Sequence, residues 1–204
     1  MFNTTEKKER ALGIKLFLKG DRCNSPKCAM VRRPYRPGRH GKRRSGAPTE
    51  FKLQLQEKQK IKATYGIREA YMKKIVGEAF KNPGVTGQMI ISLLERRLDN
   101  VVFRLGLVPS RSVARQMVNH GHFFINGRPV TVPSYRVEVG DKISIRPKSK
   151  EQPVFKDLAI NLKKVESPVW LALDGEKLEG IIVALPKDIE SIFDIKLVID
   201  YYSK

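Results

Sequence analysis

Over residues 93–147 the pattern of apolar and polar positions predicts two helices followed by short strands. Across residues 90–105 the apolar side chains recur on one arc at about 100° per residue. Thr86 can cap this first helix and Gly106 can end it. A second helix follows at once, with Ser110 as its N-cap and Gly121 as its C-terminal glycine.

The second helix has two chemically different faces. Its apolar arc consists of Val113, Ala114, Met117 and Val118, and its polar arc of Arg111, Ser112, Arg115, Gln116 and Asn119. Further cations lie on the polar flanks of the preceding helix, at Arg96, Arg97 and Arg104. We expect one face to pack and the other to suit the phosphates of folded RNA, the alternative being an ordinary solvated face.

Short strands follow these helices. Asn126-Gly127 accepts the positive φ angles of a tight turn, so residues 122–125 and 128–132 are predicted to pair as a hairpin. Residues 137–139 and 143–145 alternate apolar with polar side chains on either side of a Gly-Asp turn. The pattern therefore indicates a small unit of two helices and a sheet.

Two more helices are predicted upstream. The first begins at Thr49 as its cap and ends at Gly66. It leaves three lysines exposed to RNA or water, Lys58, Lys60 and Lys62. The second covers residues 67–80, where aromatic and aliphatic side chains recur at helical spacing and predict core rather than base-stacking platforms.

Downstream of the unit the pattern predicts one short helix and three strands. The helix covers residues 154–162. The strands cover residues 169–173, 180–185 and 195–199, with turn residues between them.

The charge of the chain limits the possible classes of function more than its length does. The 204 residues carry 40 Lys plus Arg and 21 Asp plus Glu, a net charge of +19 with a pI near 10.1. The net charge is +10 over residues 1–50, +12 over residues 51–150 and −3 over residues 151–204. This charge balance favours a polyanionic partner over an acidic small substrate. Because residues 151–204 carry a net negative charge, they are not expected to face phosphate.

Neither a membrane nor an oxidising compartment fits the sequence. The chain has no long hydrophobic run and no terminal amphipathic helix with a broad apolar face. Leu16-Phe17-Leu18 is too short for the core of a signal peptide, so export is not expected. Cys23 and Cys28 are therefore expected to be thiols rather than a disulfide.

The N-terminal segment is predicted to be an arm with little core of its own. Residues 32–44, RRPYRPGRHGKRR, carry seven cations among prolines and glycines that oppose helix and leave extended chain for a phosphate groove. Tyr35 could stack on a base. A disordered basic tail that only aids solubility is the alternative.

Several of these segments resemble a known family. LLERRLDNVVFRLGLVPSRSVARQMVNHGHFFINGRPVTVPSYRVEVGDKISI looks like the RNA-binding module named after ribosomal small-subunit protein four. GDRCNSPKCAMVRRPYRPGRHG, EKQKIKATYGI, WLALD and LVIDYYSK resemble the bacterial ribosomal family itself. The resemblance runs from Gly13 to Lys204.

The resemblance implies an α+β fold in four parts. Residues 1–46 would form an extended basic N-terminal arm, and residues 47–92 a helical domain completed by C-terminal segments. Residues 93–163 would form the inserted small αα-plus-β-sheet RNA-binding module with a linker helix. Residues 164–204 would form C-terminal β segments that pack back beside the helices of residues 51–80.

Proteins of this family bind RNA rather than catalyse a reaction. The resemblance therefore implies that the chain is a structural constituent of the small ribosomal subunit in the cytoplasm. Such proteins bind the five-prime domain of small-subunit ribosomal RNA early in assembly and hold a multi-helix junction. The residues expected to contact this RNA are Arg32, Arg33, Tyr35, Arg36, Arg39, His40, Lys58, Lys60, Lys62, Arg97, Arg104, Ser110, Arg111, Ser112, Arg115, Asn119, His120 and His122.

Two further roles rest on the resemblance alone. Lys42, Arg43 and Arg44 match basic residues that line the messenger entry channel and assist the unwinding of structured messenger RNA. Family members also contact the neighbouring small-subunit protein five, at an interface whose disruption alters decoding accuracy. Partners are therefore expected to be ribosomal RNA, messenger RNA and that protein, with no membrane and no small-molecule substrate.

No cofactor and no catalysis are expected. Some family members bind zinc through four cysteines in the arm, but here no cysteine precedes Cys23, and Cys23 with Cys28 does not close a structural site. His40 could be a third ligand, although contact with RNA or solvent is the simpler role. His120 and His122 lack any catalytic motif context, and Asp99 more simply pairs with a nearby Arg or Lys.

Two other function classes are alternatives to the ribosomal one. Pseudouridine synthases and some tRNA synthetases carry a similar module, but the residues outside the module leave no room for a large catalytic domain. A free RNA chaperone or regulator would use the same module. It would not need the GDRCNSPKCAM arm or the WLALD and YYSK segments.

Overall fold

The computed structural model describes residues 4–43, 46–82, 84–152, 155, 158, 162, 167–175, 177–187, 189 and 192–203. The chain forms two compact units. The first unit comprises Met1–Ile90 with Glu190–Lys204, and the second comprises Ile91–Ile189. Among the described residues, every helix falls short of the length and apolar character that crossing a membrane requires.

The helices and strands confirm the predicted α+β class. In chain order the helices are α1 (Thr4–Leu12), α2 (Asp21–Asn24), α3 (Ala29–Arg32), α4 (Glu50–Tyr65), α5 (Glu69–Lys81), α6 (Thr86–Glu95), α7 (Leu98–Arg104), α8 (Arg111–Asn119) and α9 (Ile195–Ser203). The strands are β1 (Phe123–Ile125), β2 (Arg128–Pro129), β3 (Lys142–Ile145), β4 (Leu171–Asp174) and β5 (Glu179–Ile182), and a 3-10 turn covers Pro147–Ser149.

The first unit is built on α4 and α5. Helix α4 begins and ends where the sequence signals predict, whereas α5 covers Glu69–Lys81 instead of the predicted residues 67–80. The side-chain oxygen of Thr49 accepts a hydrogen bond from the Lys52 amide, and Gly66 ends α4 in the left-handed conformation at φ 61°. The core side chains of this helical pair are fully or nearly fully buried: Ile61, Met72, Ile75, Val76 and Ala79.

The N-terminal segment has more structure than its composition predicts. It contains α1, α2 and α3, and it buries both cysteines and Leu16. The side chain of Glu9 is also buried, and its Oε1 accepts hydrogen bonds from the amides of Leu16 and Leu18 at 2.9 and 3.3 Å. The expectation of an arm with little core of its own is therefore wrong, because this segment buries several side chains and a buried carboxylate organises the turn that follows α1.

The chain end is a helix, α9, where the pattern predicted a strand over residues 195–199. The run Ile-Lys-Leu-Val-Ile is compatible with either structure. Its conformation is decided by Asp194, whose Oδ1 accepts hydrogen bonds from the amides of Lys196 and Leu197 and so caps a helix. The helix packs against α4 and α5 and buries Val198.

A polar cluster joins α9 to the two helices beneath it. Tyr202 Oη donates a hydrogen bond to Glu69 Oε1 at 2.7 Å, and the same carboxylate pairs with Lys58 at 3.2 Å and Lys62 at 2.6 Å. Burial alone would raise the pKa of Glu69, but the hydrogen bonds from Lys62, Tyr202 and Lys58 outweigh burial and lower it to about 2.

Replacing Tyr202 by Phe should destabilise the chain by about 1–2 kcal/mol at pH 7, since it removes a hydrogen bond to a charged acceptor. The folded pKa of Glu69 lies below the unfolded value, so its contribution is present above about pH 5 and is lost as the pH falls towards 2. Tyr202→Phe should reduce this pH dependence in urea melts. Tyr201→Phe is the matched control, and equal melts for both variants would contradict the cluster's role.

The predicted single helix over residues 90–105 is in fact two helices. Arg97 breaks it in an extended conformation, with φ −70° and ψ 137°, and forms a β-bridge with Arg136. The amides of Leu98 and Asp99 donate to the carbonyls of Tyr135 and Pro133 at 2.9 and 3.2 Å. Residues 133–136 of the same unit therefore take the place of the helical hydrogen bonds that local periodicity predicts.

The second unit contains a five-stranded antiparallel sheet in the order β2-β1-β3-β5-β4. The Asn126-Gly127 turn joins β1 to β2, although β2 covers only two of the five residues predicted for it. The segment 137–139 is not a strand. Because β5 pairs with β3, the expectation that all of residues 164–204 pack beside the helices of residues 51–80 is wrong for β4 and β5.

The core of this unit lies between α7, α8 and one face of the sheet. Its largest fully buried side chains include Phe123, Leu105 and Ile143. Gly180 lies in β5 where a Cβ atom would come within 2.8 Å of a Leu105 methyl group. Of the predicted helix over residues 154–162, the described positions Phe155, Leu158 and Leu162 are helical and buried, and the others lie outside the described residues.

Candidate nucleic-acid interface

Helix α8 has the amphipathic character that its sequence predicts. The Ser110 hydroxyl accepts a hydrogen bond from the Val113 amide at 3.4 Å and caps the helix. Ser110 is buried, so the prediction that it contacts RNA is wrong. Ala114 and Val118 are fully buried in the core. The opposite face is polar, and its most exposed side chains are Ser112, Gln116 and Asn119.

The two arginines of α8 are each held by a partner from α7. Arg115 Nε and Nη2 donate to Asp99 Oδ2 at 3.1 and 2.7 Å. Arg111 Nε donates to Asn100 Oδ1 at 2.8 Å, and its guanidinium lies 4.5 Å from the centroid of the Phe103 ring. These contacts place both guanidinium groups at defined positions on the surface.

Arg97 is a structural residue rather than a surface contact. Its side chain is 4% exposed, and its Nε and Nη2 donate to the two carboxylate oxygens of Asp99 at 3.0 and 2.8 Å. The prediction that Asp99 pairs with nearby arginine is confirmed. The prediction that Arg97 faces RNA is wrong, because the break between α6 and α7 turns this side chain inward.

Arg104 lies on the same surface and is held in the same way. Its Nε and Nη2 donate to the two oxygens of Glu95 at 3.0 and 2.8 Å. Glu95 is fully buried and also accepts from Asn100 Nδ2 at 2.7 Å. Arg104 keeps 33% of its side chain exposed, so it can still contact a ligand.

The two histidines after α8 differ. His120 is exposed, whereas His122 Nδ1 hydrogen-bonds Ser149 Oγ at 2.9 Å and its ring meets the edge of Phe155. Burial lowers the pKa of His122, and the nearby His120 and Arg146 lower it further. These effects favour the neutral imidazole, so His122 contributes hydrogen bonding and packing more than a positive charge.

The predicted lysine contacts on α4 are largely engaged within the protein. Lys58 is buried, with its ammonium group 4.0 Å from the centroid of the Tyr201 ring and paired with Glu69. Lys60 pairs with Glu57, and Lys62 pairs with Glu69. Lys58 is therefore wrongly predicted as an exposed RNA contact, since its charge is used to hold α9.

The basic run is exposed over its described residues, 32–43. Arg32, Arg33, Arg36, Arg39, His40, Lys42 and Arg43 are all exposed, and Arg44 lies outside the described residues. Tyr35 lies between two cations, with Arg10 5.1 Å and Lys42 5.2 Å from its ring centroid. Arg10 Nε also donates to the carbonyls of Arg33 and Tyr35, so the start of this run is anchored on α1.

Sequence reasoning missed a cationic cleft beside this run. The cleft has a volume of about 400 Å³ and is lined by six basic side chains and one acid: Lys7, Arg10, Arg22, Lys27, Arg32, Arg33 and Glu6. Lys7 and Arg10 are one helical turn apart on α1, a spacing that would have indicated a common face had residues 4–12 been recognised as a helix.

Gly41 should be required for the shape of the basic run. A Cβ atom at this position would overlap the carbonyl oxygen of Arg36 and lie 2.8 Å from its carbonyl carbon. Gly41→Ala should therefore open the turn and weaken RNA binding by about tenfold in filter-binding assays, the effect of one lost charge-assisted contact. Gly46→Ala is the control, since nothing lies within 4 Å of its Cβ. Equal RNA affinities of the Gly41→Ala and Gly46→Ala variants would show that the turn at Gly41 does not contribute to RNA binding.

The cysteines offer little for a metal. Cys23 and Cys28 are 2% and 1% exposed, and burial raises the pKa of the Cys23 thiol. Among the described residues, no group of three or more His, Cys, Asp or Glu side chains is arranged to bind a metal ion. A closed zinc site needs four ligands, and two thiols do not provide them.

Comparison with known protein families defines the class. A model described as the ribosomal protein S4/S9 N-terminal domain matches residues 2–95, and a model described as the S4 domain matches residues 96–143. Together they cover α1 to α8, β1, β2 and the first two residues of β3. The chain therefore contains an S4 domain, which is an RNA-binding domain, after an N-terminal domain of the ribosomal S4/S9 type.

Whole-chain relatives give the particular family. The small ribosomal subunit protein uS4 of Halothermothrix orenii is 49% identical over 197 residues, which is 96% of this chain and 94% of the relative. The proteins of the same name from Caldicellulosiruptor saccharolyticus and Thermus thermophilus are 47% and 46% identical over the same shares. The chain belongs to the family of the small ribosomal subunit protein uS4.

Proposed function

We propose that this protein is a structural constituent of the small ribosomal subunit that binds the five-prime domain of small-subunit ribosomal RNA early in assembly. Membership of the uS4 family supports the ribosomal role. The main support for RNA binding is the surface formed by Arg104, Arg111 and Arg115. Each of these side chains is positioned by a residue of α7 or by Glu95.

This surface recognises the shape of the RNA rather than its base sequence. A-form helices hide base edges in a deep, narrow major groove and expose phosphates and 2′-hydroxyls. A guanidinium group can donate two parallel hydrogen bonds to the oxygens of one phosphate. Such contacts position a protein on RNA without reading the bases. Arginines held at fixed spacing suit a junction, where phosphates of different strands lie close together.

The basic run and the adjoining cleft form a second RNA-facing surface. Both carry exposed cations on a folded N-terminal segment rather than on a free tail. By resemblance, Lys42 and Arg43, with Arg44 outside the described residues, lie at the messenger entry channel and assist unwinding. Their exposure supports this role.

An apolar surface on the first unit suits a protein partner. Phe51 and Phe80 are 60% and 47% exposed, and together with Tyr201 they line an open groove across α4, α5 and α9. Exposed aromatic groups of this kind mark protein interfaces. We assign this groove to the contact with neighbouring small-subunit protein five, which in the family affects decoding accuracy.

The protein is proposed to act as neither an enzyme nor a metalloprotein, and to function within cytoplasmic ribosomes. The buried carboxylate of Glu9 organises the N-terminal segment through backbone amides. Treatment with EDTA should therefore leave both the unfolding temperature and the RNA affinity unchanged. A fall in either on chelation, restored by zinc, would contradict this.

The salt dependence of affinity tests the binding mode. Each phosphate neutralised releases a counterion, so a protein making several contacts should lose about 10³-fold or more in affinity between 50 and 200 mM salt. The affinity for five-prime-domain RNA should stay above that for tRNA at every salt concentration. Equal affinities for the two RNAs at the higher salt would overturn the proposed primary-binding role.

A further inference from the structure

A buried acid lies directly behind the proposed RNA surface. Asp99 is 3% exposed, and its Oδ2 accepts hydrogen bonds from two arginines at once, Arg97 at 2.8 Å and Arg115 at 2.7 Å. Arg97 is buried like the acid, whereas Arg115 keeps 34% of its side chain exposed. The three side chains thus form an Arg-Asp-Arg triad that extends from the core to the surface.

We infer that Asp99 is a positioning residue for RNA binding, and that it strengthens binding although it carries a negative charge. The inference rests on the proposed function, since it concerns the same arginine surface. Simple electrostatics gives the opposite expectation, because a carboxylate behind an RNA-binding surface repels phosphate. The two effects therefore differ in sign.

The buried Arg97 decides which effect dominates. It donates to both oxygens of Asp99, so the charge of the carboxylate is already balanced by an arginine that never reaches the surface. The triad as a whole carries a net charge of +1, and that charge lies on Arg115. The repulsion felt by a bound phosphate is accordingly small, while the orientation of Arg115 is kept.

Orientation contributes because a free arginine side chain loses rotamer entropy when RNA binding fixes it. The Nε and Nη2 hydrogen bonds to Asp99 fix the plane of the guanidinium before RNA arrives. An arginine has five N–H donors in a rigid fork, and two of them make these bonds. Because Arg115 is already ordered, RNA binding costs little further side-chain entropy.

The neutral residue Asn100 provides an independent parallel. It holds Arg111 through one 2.8 Å hydrogen bond to Nε without adding any negative charge. One α7 residue for each α8 arginine indicates that the helix pair sets the spacing between the two guanidinium groups. A fixed spacing is what the shape recognition proposed above requires.

The test compares two variants that separate position from charge. Asp99→Asn raises the net charge by one, and Arg115→Lys keeps the charge but lacks the guanidinium fork that makes two hydrogen bonds to Asp99 Oδ2. Both should weaken binding to five-prime-domain RNA by about tenfold, the effect of one charge-assisted contact. Glu151→Gln, at an exposed position of the same unit, is the charge-matched control for Asp99→Asn and should bind as well as the parent or slightly better.

A double-mutant cycle gives a readout that a purely structural role would not change. Arg115→Ala should cost about tenfold in the parent and only about twofold when Asp99→Asn is already present. A folded Asp99→Asn variant that binds as tightly as the parent would overturn the inference. If Asp99→Asn does not fold, Arg115→Lys decides alone, and parental affinity of that variant would overturn the inference. A parent protein that does not prefer five-prime-domain RNA to tRNA would instead overturn the proposed function.

Discussion

Reversing both charges on α8, with Arg111→Glu and Arg115→Glu together, should weaken binding to five-prime-domain RNA by at least about a hundredfold. Each arginine is expected to make a charge-assisted contact worth about 1.5–3 kcal/mol, and each 1.4 kcal/mol corresponds to tenfold in affinity. The two glutamates add repulsion from phosphate. Filter binding or calorimetry at 100 mM salt measures the loss.

The control for this reversal changes the same total charge elsewhere. Lys177→Glu with Lys187→Glu also lowers the net charge by four, at two exposed positions outside the proposed interface. It should weaken binding by only a few fold, through the general electrostatic term. Circular dichroism should show both double variants folded, and equal losses for the two would remove α8 from the interface.

Phe123→Ala should destabilise the second unit by about 3–5 kcal/mol, the cost of removing a large, fully buried aromatic side chain. Phe123 lies at the centre of the core, edge-on to Phe155 at 6.1 Å between ring centroids. Equilibrium urea unfolding measures the loss. RNA binding should fall in parallel, because α8 packs on the same core.

The neighbouring Phe124 is the matched control, since successive side chains of a strand point to opposite faces. Phe124 is only half-buried, so Phe124→Ala should cost about 1 kcal/mol, the typical effect of a substitution outside the core. Similar losses for Phe123→Ala and Phe124→Ala would contradict the position of the core deduced from β1.

Local signals were sufficient to predict α8 and the hairpin that follows it. The Ser110 cap, the 3.6-residue period and the Asn126-Gly127 turn each act over a few residues, and the structure contains all three features. The positive φ angles of Asn126 and Gly127, 50° and 77°, are those that the turn requires. Such elements are predictable because their causes are adjacent in sequence.

Features decided by distant residues were not predictable. The sequence around Lys58 predicts an exposed lysine, but Tyr201 and Glu69 contact its side chain in the folded protein. Tyr202, which donates to Glu69, is 133 residues away from it in the sequence. The break at Arg97 needs the carbonyls of Pro133 and Tyr135. In the same way, which arginines of the RNA surface are buried and which are exposed depends on the partner of each guanidinium.

The fold of the N-terminal segment was missed for a different reason. Its composition is rich in cations and poor in aliphatic residues, which is typical of a disordered tail. The segment instead folds around a buried carboxylate, Glu9, and two buried thiols. A polar centre of this kind leaves no hydrophobic periodicity to detect.

Footprinting on naked small-subunit ribosomal RNA is the sharpest test of primary binding to the five-prime domain. The purified protein would be bound at two salt concentrations, with a tRNA pool as competitor. Protection should be confined to one junction of the five-prime domain and should persist at the higher salt. Diffuse protection that the tRNA pool abolishes would contradict primary binding and would leave a general basic RNA-binding protein.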